Sequence, residues 1–262
     1  MTQPLTIIPV QAPIRQAAFD LHETLFAALA SAEQTLVSGD VLAVSSKYAA
    51  IAEGRIVRLD DVEVTAEAEA LAARYSMNPR LAQVVLAHAD HIFGGIPGFL
   101  LTHKEGIVSP NAGIDRSNIP SGLAVLFPAQ PYATAARIRA AVRQRLDADI
   151  GVILTDSWLM PGRLGTTGVA LATAGFNPVQ DERGKLDLFG NPMQVTRRGI
   201  ADTICAAAQL VMGERDEATP FAIVRGAPIH LTDEAITVEQ VAIDWHECIY
   251  IQSLTDGLLK DE

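Results

Sequence analysis

Apolar and polar positions alternate between two rhythms along the chain. Leu5–Pro9, Asp40–Val44, Arg55–Val57, Leu123–Phe127, Ile150–Thr155 and Phe221–Val224 are short apolar runs with turn residues close by, which reads as strands. Other stretches repeat at helical spacing. Leu21, Leu25, Ala28, Leu29 and Ala32 line one face of a helix expected over Asp20–Leu36, punctuated by Ser38-Gly39. Thr65–Ser76 opens on a capping pattern, Thr65-Ala66-Glu67-Ala68. Asn78-Pro79 starts a second helix running to about His88, with the proline where its missing N–H costs nothing. Pro131–Leu146 and Arg198–Met212 complete the helices. Phe99–Leu101 and Gly106–Val108 pair as a hairpin after the glycine-rich stretch Gly94–Gly98. A second glycine-bearing loop, with Pro161, Gly162, Gly165 and Gly168, leads to the small-residue run Val169–Gly175. Strands and helices mix without a clean βαβ rhythm, so the fold class is α+β (mixed α/β).

Composition narrows the function. At about 100–200 residues per domain, 262 residues make one large domain or two small ones. Forty alanines against 14 aromatics suit helices packed closely on a sheet, not an aromatic binding surface. Acids outnumber bases 31 to 20, a net charge of −11, which argues against nucleic acid and against an anionic membrane surface as partners. No apolar run approaches a membrane span, and the first nine residues lack the pattern of a signal peptide, so a cytoplasmic protein is expected. Cys205 and Cys248 stand apart from any CxxC or His/Cys cluster and read as reduced, buried thiols.

The candidate chemistry is oxygen-based. Asp156-Ser157 sits just past the strand Ile150–Thr155, where a carboxylate followed by a hydroxyl presents ligands to a hard cation; the same pair also makes a good helix cap or turn. Asp115-Arg116-Ser117-Asn118 lies in a polar loop after Asn111-Ala112-Gly113, a segment that serves equally as a plain turn. The two strengthen each other, because Mg²⁺ and Mn²⁺ sites combine one or two carboxylates with substrate phosphates. Ser45-Ser46-Lys47 follows the strand Asp40–Val44 and can hold phosphate as a point charge, without a Walker A loop. Gly213 reads as a helix C-cap, and Glu214-Arg215-Asp216-Glu217 as a solvated turn or an acidic ligand source. HExxH, GxGxxG and GxSxG are absent, which removes the motif basis for a zinc protease, a dinucleotide site or an α/β-hydrolase.

Taken in order, these segments resemble the coenzyme F420-0:L-glutamate ligase (F420-0 γ-glutamyl ligase) family. The matching stretches are Gly39–Lys47, Ala52–Val57, Asn78–Leu81, Asn111–Asn118, Gly151–Ser157, Asp181–Gly184 with Asp187 and Gly190, Ala201–Gly213 and Ile223–Gly226. Asn111-Ala112-Gly113-Ile114-Asp115-Arg116-Ser117-Asn118 is the most specific of them, and the likeness spans about residues 5–228. The resemblance implies a mixed α/β fold and an intertwined homodimer. It implies an enzyme that uses GTP, a divalent metal (Mn²⁺ or Mg²⁺) and a monovalent cation (K⁺) to join L-glutamate to F420-0 through an acyl phosphate. Carried over residue by residue, it makes Asp115 and Asp156 the catalytic metal-binding carboxylates, with Ser157 and Glu214 as further metal ligands. Pro13, Ser46, Lys47, Asn118 and the loop Met212, Gly213, Glu214, Arg215, Asp216, Glu217 become the nucleotide wall. The implied catalytic domain is 1–228, and 229–262 is an extension that packs on the body or on a dimer partner.

The chain departs from the family pattern at named positions. Ile51 stands where a lysine is usual, the stretch after Asp156 reads Ser157-Trp158-Leu159-Met160-Pro161-Gly162-Arg163 with one arginine, and Glu214 replaces a frequent glutamine. These departures leave two alternatives beside the F420-0 ligase: a paralogous γ-glutamyl ligase with another, folate-like acceptor, and a non-catalytic nucleotide- or metal-binding relative.

Overall fold

The structure, a computed structural model, describes residues 4–259, and from residue 255 onward only the helical course of the chain. At its centre lies a five-stranded sheet of β1 (Thr6–Val10), β12 (Phe221–Arg225), β2 (Val41–Ser45), β8 (Gly151–Leu159) and β9 (Thr166–Ala174), in that order. β2 and β8 run parallel and the other pairs antiparallel. Alternation sorts the apolar residues between two faces. Leu42, Val44, Val152, Leu154, Phe221 and Ile223 face α1 (Leu21–Ser31) and α5 (Pro131–Leu146). Val41, Ala43, Ile153, Ala222 and Val224 face α6 (Ile200–Met212), which offers Ile200, Ile204, Cys205, Ala208 and Met212. With both faces covered, these strands read as continuous apolar runs.

A second packing unit lies between β2 and α5 in the chain. It begins with α2 (Ser46–Ala52) and β3 (Ile56–Arg58), continues through α3 (Ala66–Arg74) and α4 (Pro79–His88), and ends at β7 (Leu123–Val125). Between α4 and β7, β4 (His91–Ile96), β5 (Phe99–Lys104) and β6 (Ile107–Pro110) form a separate sheet. Leu81, Val84, Val85, Leu100, Ile114 and Leu126 fill this unit's own core. A two-stranded ribbon of β10 (Val179–Asp181) and β11 (Arg197–Gly199) precedes α6, and α7 (Ile249–Leu259) lies in the C-terminal segment.

The expected α+β class and most expected elements are present, and the differences have local causes. The first helix ends at Ser31, because Glu33 takes a left-handed φ of 53° and turns the chain away. The glycine-rich stretch Gly94–Gly98 supplies the end of strand β4, bulged between Ile92 and Gly94, and the turn at Pro97-Gly98. Ser46 and Lys47 are the first turn of α2, whose N-cap is Ser45. The helix expected from Arg198 starts two residues later, after β11. Asp156 and Ser157 lie inside β8, not past it, because β9 pairs with that strand as far as Leu159. Cys205 is buried as expected, whereas Cys248 is half-buried; both are free thiols. Leu231 and Trp245, both past residue 228, touch the body: Leu231 bridges to Phe176, and the Trp245 ring lies 5.2 Å from His91 and 5.5 Å from His103.

Candidate active site

Strand direction brings the candidate residues to one end of the central sheet. β2 and β8 are parallel neighbours in register, Ser45 opposite Thr155, so their carboxyl ends lie side by side. In open α/β sheets, ligands bind in the crevice outside those ends. β12 runs the other way, so its leading loop arrives at the same edge, where the Ser45 N–H donates to the Pro220 carbonyl at 2.8 Å. β1 is reversed again and sends Ala12–Arg15 past this edge; the Ala12 N–H donates to Ala218 O at 3.0 Å. The result is a cavity of about 360 Å³ into which Lys47, Asp115, Asp156, Ser157 and the 212–217 loop all face. That volume lies within the range of small-molecule sites.

Asp115 is delivered by the second packing unit. Its backbone exchanges hydrogen bonds with Val125, and the turn before it is fixed from behind. Asn111 Oδ1 accepts from the Leu100 N–H at 2.9 Å, and the Ala112 N–H donates to Thr102 Oγ1 at 2.7 Å. Gly113 has a φ of +70°, and a Cβ there would meet the Phe127 ring at 1.9 Å, so the position admits only glycine. At the loop's tip the Lys47 ammonium lies 2.5 Å from Asp115 Oδ2 and donates to Ser117 Oγ at 2.8 Å. The Ser117 N–H donates to Asp115 Oδ1 at 2.7 Å. Burial pushes the Asp115 carboxyl up, but the Lys47 charge and the Lys47 and Ser117 hydrogen bonds outweigh it and hold the group below its ordinary value.

Asp156 is placed oppositely. Burial pushes its carboxyl up to about 6 against the opposing Ser157 N–H, which donates to Oδ1 at 2.8 Å, and the neighbouring Asp115 charge adds to the rise. Lys47 and the Ser46 hydroxyl pull the other way. Ser46 is only 2% exposed, so it supports Asp156 from behind and is not part of the cavity wall. Ser157 Oγ and Thr166 Oγ1 each donate to Glu214 at 3.2 Å, and Gln209 Nε2 bonds the same carboxylate. Asn118 Nδ2 donates to the Glu214 carbonyl at 3.2 Å, tying the Asp115 loop to the 212–217 loop. Pro13 also lines the cavity, and its carbonyl accepts from the Tyr48 hydroxyl at 2.8 Å. Met212 and Gly213 close α6 onto the cavity, while Arg215 and Asp216, 3.7 Å apart, are more than four-fifths exposed. Arg215 N–H donates to Glu217 Oε2 at 2.7 Å, folding the loop on itself.

The candidate residues named from the sequence therefore converge, with Ser46 behind the wall. Sequence reasoning passed over Arg15, Tyr48, Ser117, Thr155 and Gln209, which also line the cavity. Thr155 could have been found, since it is the last residue of the run that ends at Asp156.

The donor set suits a hard divalent cation. Asp115 and Asp156 are close enough to repel, and Ser157 and Glu214 add a hydroxyl and a carboxylate, all oxygen. Among the described residues no three His, Cys, Asp or Glu side chains gather into a protein-only metal centre. Magnesium-type ions accept such an arrangement, since they take one or two carboxylates and complete their shell with phosphate oxygens and water.

Fold and site together define a mixed α/β protein with an oxygen-lined cleft at its parallel strand ends. Residues 9–226 match the family model described as F420-0:Gamma-glutamyl ligase. The chain is 38% identical over 192 residues to the coenzyme F420:L-glutamate ligase of Methanopyrus kandleri, covering 73% of this chain and 76% of that protein. It is 34% identical over 217 residues to the enzyme of that name from Methanothermobacter thermautotrophicus (82% and 86% covered). With the Halobacterium salinarum protein of that name it shares 40% identity over 206 residues (76% and 79% covered). The chain belongs to the F420-0:gamma-glutamyl ligase family, and is thus a ligase of the kind that forms carbon–nitrogen bonds. No helix among the described residues is long and apolar enough to cross a membrane.

Proposed function

We propose that this protein is a GTP-dependent γ-glutamyl ligase that joins L-glutamate to coenzyme F420-0 through an acyl phosphate, as a cytoplasmic homodimer. The observation that carries the reading is the meeting of Asp115, Asp156 and Ser157 with Lys47 at the carboxyl ends of β2 and β8. A carboxylate acceptor does not acylate an amine until its oxygen becomes a leaving group. In the first step the γ-phosphoryl group of GTP passes to an acceptor carboxylate oxygen, the bond to GDP breaks, and an acyl phosphate results. In the second, the glutamate amine attacks the acyl carbon, the amide bond forms, and phosphate leaves with that oxygen and the amine's proton.

Mn²⁺ or Mg²⁺, held by Asp115, Asp156, Ser157 and Glu214 with K⁺ assisting, would neutralise phosphate charge during the transfer. Lys47 supplies a point charge from the first turn of α2. Asn118 and Pro13 with Met212–Glu217 line the cavity and would border the nucleotide. Catalysis belongs to residues 1–228. Residues 229–262 are an extension in which Trp245 packs against His91, Phe93 and His103. For the dimer, the arm between β10 and β11 holds out Leu186, Leu188, Phe189 and Val195, which are 68%, 99%, 90% and 84% exposed, a patch suited to a second copy.

A second reading, a paralogous ligase with another acceptor, is favoured by Ile51. It is 4% exposed and packs with Ala50 and Val125, so no cation stands at that position.

The test incubates purified protein with Mn²⁺, L-glutamate and F420-0, with GTP and ATP in parallel, and reads products by mass spectrometry. The expected product is F420-0 heavier by a glutamyl residue, formed with GTP. No glutamylated F420-0 overturns the reading; product from another carboxylate alone moves it to the paralogous ligase.

A further inference from the structure

The cavity carries more acid than base. Asp115, Asp156, Glu214, Asp216 and Glu217 line it, against Lys47, Arg15 and Arg215. Two of the three cations are engaged: Lys47 by Asp115, and Arg215, 82% exposed, by Asp216. Arg15 forms no ion pair among the described residues, yet it is not loosely held. Its guanidinium sits over the Phe19 ring, 5.3 Å from the centroid. Phe19 packs on Tyr48 with centroids 4.8 Å apart, and Tyr48 meets the buried Phe221 edge-on at 5.5 Å. The Tyr48 hydroxyl ties the segment down by donating to Pro13 O, and Arg15 reaches that hydroxyl as well. A column of three rings thus runs from the sheet core to one uncompensated guanidinium at the cavity mouth.

Arg15 is exposed to solvent, but an arginine over an aromatic face is pre-oriented, and its planar fork matches a carboxylate or phosphate. We infer that Arg15 is an anion-binding residue of this cavity, engaging a phosphate or carboxylate oxygen of a substrate. The inference rests on the reading of the cavity as a ligase site, and it names a residue of the 12–15 segment that meets substrate charge.

The test compares Arg15→Gln and Arg15→Lys with the unaltered protein. Calorimetry measures binding of inorganic tripolyphosphate with Mg²⁺, and steady-state ligation gives KM for nucleotide, acceptor and glutamate separately. Charge-assisted hydrogen bonds of this kind correspond to about 10- to 100-fold in affinity. Arg15→Gln is expected to weaken tripolyphosphate binding or raise one KM by that factor, with kcat changed less and the melting temperature held. Arg15→Lys should recover part of the loss, since it keeps the charge and gives up the fork. A rise confined to tripolyphosphate and nucleotide identifies phosphate as the partner; a rise confined to acceptor or glutamate identifies a carboxylate. Unchanged binding and KM values, or a loss of melting temperature alone, overturn the inference. If the unaltered protein binds tripolyphosphate through Arg15 but makes no glutamyl product, the ligase reading fails and this inference stands. If it neither binds tripolyphosphate nor makes glutamyl product, both fail.

Discussion

Asp156 and Glu214 face one cavity from different kinds of support. Asp156 sits in β8, paired through its backbone with Val169 and flanked by the β-bulge at Leu154/Thr155. Glu214 sits one residue past Gly213, on an exposed turn held by Ser157, Thr166, Gln209 and Asn118. The strand-borne wall is rigid because the sheet over-determines its backbone, and it can keep a carboxyl that burial drives up to about 6. The loop-borne wall is fixed by side-chain hydrogen bonds to water-facing groups, each of modest net worth. Under the proposed function, the first wall carries the chemistry, while the second adds a metal ligand and sets nucleotide affinity.

The largest effect expected is from Asp156→Ala. If the strand wall carries the chemistry, this change lowers kcat about 10³-fold or more, measured by GTP-dependent ligation, because several kcal/mol of charge stabilisation are lost. A loss under tenfold would break the comparison.

Gly168→Ala tests the rigidity. Gly168 lies opposite Ser157, and a Cβ there would sit 2.4 Å from the Cys205 carbonyl oxygen of α6. Overpacking against backbone is expected to cost about 1–3 kcal/mol in urea unfolding.

The pH dependence of stability sharpens the same point. An acid whose folded value is raised from 3.8 to about 6 costs the fold nothing below pH 3.8. The penalty grows between 3.8 and 6 and is complete above 6. In chelator at pH 8, Asp156→Asn should therefore stabilise the protein, by about 1–2 kcal/mol after allowance for partial exposure, while abolishing turnover. A destabilised Asp156→Asn would contradict the assignment.

Glu214→Gln probes the loop wall and should change KM for nucleotide by about tenfold or less, with unfolding free energy within about 0.5 kcal/mol of the parent. The smallest effect is chemical. Native protein should expose one thiol to a disulfide reagent, Cys248, while Cys205, on the sheet-facing side of α6 and pushed up by burial, reacts only after unfolding.

Four of the five central strands were legible as apolar runs, and the helices because apolar spacing or the starts at Thr65 and Asn78-Pro79 mark them. The reach of β8 was not. Asp156-Ser157-Trp158 looks like the start of a loop, and only pairing with β9, whose small residues carry no strand signal of their own, keeps it extended. The acidic and Lys47 positions could be found by residue type. Arg15 and Tyr48 could not, because their value lies in an aromatic column assembled from segments at 15–19, 48 and 221.

The most direct measurement follows the acceptor's oxygen. F420-0 labelled with ¹⁸O in its carboxylate is incubated with GTP, Mn²⁺, L-glutamate and the protein, and the released phosphate is analysed by mass spectrometry. Transfer of the phosphoryl group to the acceptor predicts one ¹⁸O in each phosphate formed per amide made. Unlabelled phosphate, formed alongside product, would contradict the acyl-phosphate route.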